Sequence, residues 1–451
     1  MSELLEIADR IVERSGSGER LEAYVARGVE TDVRVYEGAI ETLSTATSAG
    51  VGIRVLLDGL DGARAGFAWA GSLEGEAIDR ALRSARENAS FATPDPMVAL
   101  AVPDDVPPAS VEVSDPEFST FSIDDKIAMA LEAERLARSS DVRIRQVDSA
   151  DYGDTSVAFA IASSTGIRAS ADRTAAYLSV SAIAGDADET QTGSGLSVGR
   201  GPGSLDPAHA AAQAIERSAR MLGATKVAST KTVVVFDPRV TSTLLGVIAG
   251  ALSGEAVVKG RSFFEGRLGE QVAVPSFTLV DDPTNPRAFG AARFDGEGLA
   301  CRANTLIGDG VLEGFVYDTV AANRAGTSST GSAVRGGFAG TPGAGCRAVV
   351  LGAGTMTPDE VLANVGSGVY VQSITGVHSG VSPVSGDFSV GAEGLVIRDG
   401  ELAEPFREVT VASTLQRMLQ SIMAVGSDVT WLPGVAAGQT LAIGDFQLSG
   451  S

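Results

Sequence analysis

Histidine is nearly absent from this chain: 451 residues contain two, His209 and His378. Imidazole is the commonest metal ligand and general base, so a self-contained metal centre or triad has almost no material to draw on. No HExxH sets ligands on one helical face, and no GxSxG elbow presents a serine. Cysteine is as scarce, with Cys301 and Cys346 alone and no CxxC spacing. That excludes a disulfide framework and a thiolate zinc site, and it fits a reducing compartment. Basic residues are few: 35 Lys and Arg against 57 Asp and Glu leave a net charge of −22. Such a surface repels a phosphate backbone, which argues against direct nucleic-acid binding. No apolar run approaches the roughly 20 residues that span a bilayer. Acids and bases interrupt the first sixteen residues, so no secretory signal is read there. A cytoplasmic location without membrane insertion is expected.

The composition that remains, 44% hydrophobic and 20% charged, is that of a globular protein. At roughly 150 residues per domain the length allows two or three domains, and two are expected. Leu4, Leu5, Ala8, Ile11 and Val12 recur at helical spacing, and residues 15–18 end that helix. Extended runs fill 22–70, and a helix follows over 73–89 with Ile78, Ala81, Leu82 and Ala85 on one stripe. Pro94, Pro96, Pro103, Pro107, Pro108 and Pro116 then forbid regular pairing, which predicts a long connection across the surface. The order repeats with a helix over 123–139, extended runs over 142–198 and a helix over 207–222, a loose duplication without an alignable residue pattern. This first unit, 1–226, reads as a sheet-and-helix domain. The second, 227–451, is glycine-rich and β-rich. Asp-Gly turns at 309–310 and 399–400 mark tight hairpins, and helices are expected at 242–251, 358–365 and 414–424. The fold class is α+β.

Few segments could carry chemistry. Gly193-Ser-Gly195-Leu-Ser-Val-Gly199 misses the phosphate-binding GxGxxG spacing by one residue, and no Walker pattern exists. His209, in an alanine-rich helix, reads as an ordinary partly exposed position. Asp295 and Glu297 form a compact acidic pair that could bind a cation or shift each other's pKa, although an exposed turn is the simpler reading. The glycine framework 376–394 carries His378, Ser379, Ser382, Ser385 and Asp387, a set suited to peptide or ion contacts or to a solvated loop.

In order and spacing, several segments together resemble the TldD/PmbA family of modulator-of-gyrase proteins, on the PmbA (TldE) side. They are 254–269 with Lys259-Gly-Arg-Ser-Phe-Phe264, then Arg293-Phe-Asp-Gly-Glu-Gly298, the hairpin 307–317, Ser385-Gly-Asp-Phe-Ser389 with 391–394, and Val425-Gly-Ser-Asp428. The resemblance spans essentially the whole chain. It implies an N-terminal α/β domain, a β-rich C-terminal domain, and TldD and PmbA subunits that pair around a peptide-binding chamber, with the zinc held by TldD. The HExxxH helix of TldD corresponds here to Leu245-Gly246 and Gly250, and 432–439 contains no counterpart of its late cysteine ligand. The resemblance therefore implies a chain with no cofactor or catalytic residue of its own. It would work with a TldD-like zinc subunit on unfolded or leader peptides. His378, Ser379, Ser385, Asp387, Asp295 and Glu297 are the candidates for peptide or partner contact. The alternatives are a non-proteolytic, peptide-binding homodimeric scaffold, and an independent enzyme built on Asp295, Glu297 and His378.

Overall fold

A computed structural model describes residues 3–186 and 188–450. Helix α1 (Glu3–Val12) precedes strands β1 (Glu19–Tyr36), β2 (Ala39–Leu57) and β3 (Arg64–Ala70) and helix α2 (Gly75–Phe91). The same succession returns as α3 (Ile123–Ser139), β4 (Ile144–Ser163), β5 (Arg168–Gly185), β6 (Thr190–Gly199) and α4 (Pro207–Ala219). The six strands make one sheet in the order β3-β2-β1-β4-β5-β6. The duplication suggested by the sequence thus exists at the level of topology: two αβββα halves meet where β1 pairs antiparallel with β4. Alternation decides the faces. Leu21, Ala23 and Val25 join the core under α1 and α2, whereas Tyr24 and Ala26 turn to the other face. There they pack with Leu299 and Phe338 of the C-terminal half.

The C-terminal half begins with β7 (Thr230–Phe236) and α5 (Pro238–Ala251). Strand β7 lies between the strands Gly368–Thr375 and Leu441–Ser449. With Asp387–Arg398 and Glu401–Thr414 they form a ring that closes where Thr410–Ala412 pair with Gln447–Ser449. Closure leaves no edge among these strands there, and the interior is aromatic: Phe446 meets Phe236 and Phe388 edge-on at 5.6 and 6.1 Å between centroids. Both Asp-Gly turns behave as their composition requires. Asp309, Gly310, Asp399 and Gly400 all take positive φ.

Two sequence expectations change. The helix expected over 414–424 spans only Leu415–Gln420 and gives way to a strand, Ile422–Val425, whose burial alternates residue by residue. A short apolar run fits either period, and pairing with the strand Leu441–Ser449 decided it. The proline-rich connection is more than a surface crossing. Leu100, Ala101, Val111 and Val113 are buried, and the last two pack with Ala288, Ala291 and Ala348. Asp95 pairs with Arg324 at 2.8 Å and Asp104 with Arg302 at 2.7 Å. Proline removes sheet pairing but not apolar burial, so this segment straps one half to the other.

Candidate functional site

Helix α5 is where the sequence resemblance places the metal site of TldD. The Asp237 side chain accepts from Arg239 N, and Pro238 occupies the first turn, so the helix starts four residues earlier than the apolar spacing suggested. Val240, Leu244, Leu245 and Ile248 face the core with Phe236. Gly246 and Gly250 instead line a cavity of about 470 Å³ together with Ser253, Glu255, Lys259 and Cys346. A Cβ on Gly250 would meet nothing within 4 Å. Three of the surrounding polar groups are already engaged: Glu255 and Lys259 form an ion pair, and the Ser253 hydroxyl donates to Ala344 O at 2.9 Å. Burial, reinforced by Asp281, pushes the Cys346 thiol well above its ordinary pKa, so it stays protonated and a poor ligand. The side chains at Leu245, Gly246 and Gly250 offer no lone pair. Among the described residues no group of three or more His, Cys, Asp or Glu could hold a metal ion. The side chains at this position therefore do not fit a zinc site.

The acidic pair is the clearest correction. Asp295 and Glu297 are 1% and 0% exposed rather than on a solvated turn. Backbone donors from Glu297, Leu299 and Ala333 solvate the Asp295 carboxylate at 2.9–3.0 Å. Thr319 donates its amide and hydroxyl to Glu297 Oε2 at 2.9 and 2.7 Å. Gly298, at φ +85°, lets the segment press on the N-terminal sheet, because a Cβ there would lie 2.5 Å from Ile167 Cγ2. Against this segment stands a buried ion cluster. Arg54 on β2 donates to its cross-strand neighbour Glu22 at 2.9 and 2.5 Å, and Arg335 donates to the same carboxylate. Arg54 Nη2 also lies 3.5 Å from Glu297 Oε1, which has no hydrogen-bond partner. Burial outweighs the Arg54 attraction and brings Glu297 to about 7, and burial likewise brings Asp295 to about 6. For Glu22 burial is overcome by Arg335 and Arg54, which hold its pKa below the ordinary value. Composition could not reveal this cluster, but the spacing that puts Glu22 and Arg54 in register on adjoining strands was a usable signal.

The other candidates lie on the surface of the C-terminal half. His378 and Ser379 are exposed on the helical turn Val377–Gly380. Ser385 donates to Asp387 Oδ2 at 2.6 Å, and both are exposed. Backbone bonds from Ser382 N to Asp387 O and from Gly386 N to Ser382 O fix this loop, leaving its hydroxyls and carboxylate accessible. His378 and the buried pair Asp295 and Glu297 share no hydrogen bond among the described residues, so the geometry does not assemble them into one site. His209 is exposed in the first turn of α4, beside Gln213 at 3.0 Å.

One backbone feature was missed by the sequence reading. Strand β3 covers only Val51–Leu57 of β2, so 39–50 has no strand partner on that side among the described residues. Of the uncovered run, 39–48 is exposed, and its only charge is Glu41. Unpaired, nearly uncharged strand edges accept another strand.

Comparison with known proteins agrees over nearly the whole length. Models of the PmbA/TldA metallopeptidase family match domain 1 at residues 21–89, the central domain at 116–222 and the C-terminal domain at 229–450. The chain is 26% identical over 433 residues to the metalloprotease PmbA of Escherichia coli O157:H7, covering 95% of this chain and 92% of that one. It superposes on a proposed modulator of DNA gyrase from Bacteroides thetaiotaomicron with a TM-score of 0.89 at 25% identity, over 100% of both chains. TldE from Thermococcus kodakarensis has the same fold, with a TM-score of 0.88 at 23% identity over 99% of each chain.

Proposed function

The chain belongs to the PmbA/TldD metallopeptidase family, and on that premise we propose that it is the metal-free, PmbA/TldE-like subunit of a cytoplasmic zinc protease. Its role is to close the chamber and hold an extended peptide while a TldD-like partner supplies the zinc. The observation that carries this reading is the donor-free face of α5, where Gly246 and Gly250 border an open cavity and Leu245 turns into the core. A helix face without donor side chains leaves room for a peptide backbone to pass along it. The free edge of β2 adds a second means of holding peptide, since main-chain pairing reads no side chain and suits unfolded or leader peptides. His378, Ser379, Ser385 and Asp387, exposed on their bonded loop, are the partner- or peptide-facing groups in this proposal.

Purification of the tagged chain from its own host, with zinc and co-purifying proteins measured on one sample, tests the reading. The expected result is a partner carrying HExxxH, about one zinc per pair, and peptide cleavage by the pair alone. Cleavage of an unstructured peptide by the isolated, zinc-loaded chain would overturn it. A homogeneous self-assembly that binds peptide without cleaving it would instead establish the homodimeric scaffold.

A further inference from the structure

A cavity of about 450 Å³ lies between the helix-free face of the N-terminal sheet and the C-terminal half. It is separate from the α5 groove, and the proposed function makes no use of it. Phe159 and Tyr24 line one side, Phe289 and Phe294 the other, and the exposed residues Asp172 and Arg293 stand at its rim. The same walls hold Arg173, Arg335 and Arg347.

These arginines are under-used. Arg173 makes one bond, from Nη2 to Phe289 O at 2.8 Å, and neighbouring Arg200 also donates only to carbonyls, those of Ala288 and Phe289. Arg347 donates from Nη1 to Ala333 O at 3.4 Å, while its Nε is buried without a partner. The Arg335 side chain is 1% exposed, and its Nε and Nη1 are likewise unpartnered. Among the described residues, Arg173, Arg200 and Arg347 have no carboxylate within ion-pair distance. Two carboxylates line the walls: Asp172 is exposed, and both oxygens of Asp295 already accept backbone amides. A chain with 57 acidic residues has thus placed Arg173 and Arg347 in one interior cavity without an ion pair for either. Burial first, then repulsion from Arg347 and Arg200, lowers Arg173 to about 10, so it remains charged at neutral pH.

We infer that this interdomain cavity binds a carboxylate carrying an apolar or aromatic group, with Arg173 and Arg347 taking the carboxylate and the phenylalanine walls taking the apolar part. A planar carboxylate matches the guanidinium fork, and charge-assisted bonds of this kind are the stronger class in a desolvated site. The ligand is either a small apolar acid or the C-terminal residue of a peptide.

Titration calorimetry on the full chain, with N-acetyl-phenylalanine, its amide and a tetrapeptide ending in phenylalanine, tests the site. The acid is expected to bind at least about tenfold more tightly than the amide, the factor a charged hydrogen bond supplies. Arg173→Gln should abolish that preference while leaving the unliganded protein at least as resistant to heat, because an unpaired buried charge is removed. If Arg173 only ties the domains together, the variant will instead melt lower and keep the preference. Should that variant fail to fold, Arg347→Met carries the same readout. Equal binding of acid and amide, or no binding of either, overturns the inference. Tetrapeptide binding as tight as that of the acid identifies a peptide C-terminus as the ligand, and much weaker binding identifies a small acid.

Discussion

Helix α5 and the interdomain cluster are opposite solutions to placing side chains inside one protein. Along α5, Gly246 and Gly250 present an uncharged face without side chains to the cavity, and Leu245 packs in the core. At the interdomain contact Glu22, Arg54, Arg335 and Glu297 are packed together with almost no exposure. Polar investment has therefore gone into fixing how the two halves meet, and the groove has been kept clear. A buried ion cluster rarely adds net stability over apolar packing, but removing one member strands the others, so it enforces a single docking geometry.

That contrast is most easily broken at Arg335. Arg335→Met leaves the Glu22 carboxylate with Arg54 alone and removes the guanidinium 4.8 Å above the Tyr24 ring. Chemical denaturation should show a loss of about 3–5 kcal/mol, the usual result of stranding a buried charge. A loss below about 1 kcal/mol would mean that water reaches the cluster.

The acidic pair gives the next effect. Glu297 stands near 7 in the fold against an ordinary 4.5, so the folded chain holds a proton there that the unfolded chain has released. Stability contributed by this group is full below about pH 4.5 and is lost as pH rises through 7. The shift corresponds to about 3 kcal/mol. Glu297→Gln, which keeps the shape and cannot ionise, should flatten that part of the pH profile measured between pH 5 and 8. An unchanged slope would assign the pH dependence to other groups.

Smaller effects sharpen the other side of the comparison. Gly250→Ala should stabilise the chain by up to about 0.5 kcal/mol, because the added Cβ meets nothing and a glycine in the last helical turn still costs entropy. A loss of stability would show that the groove is tighter than its geometry implies. His378→Ala, on an exposed turn, should change the melting midpoint least, within about 0.5 kcal/mol. If it also impairs assembly with a TldD-like partner in a pull-down, the loop is an interface.

Local signals carried much of the fold. The helices Ile123–Ser139 and Pro358–Val365 stand where stripes and caps put them, and a capping box at Ser122 and Asp125 shows why. The Asp-Gly turns were legible because φ preference is a property of one or two residues. Asp295 and Glu297 were not, since nothing beside them in sequence says that amides, a threonine and Arg54 will replace their water. Glu22 and Arg335, bonded across 313 residues, could not be paired from composition or spacing.

By itself, then, the sequence determined the α+β class, the shortage of histidine and cysteine ligands, the turns and the family, because each rests on residue chemistry or on order along the chain. Only the tertiary structure decided which charges are buried, which strand edge is left open, and that Arg173 and Arg347, neither in an ion pair, share one cavity. Those outcomes depend on which distant surfaces displace water from one another, and that is a property of packing rather than of any segment.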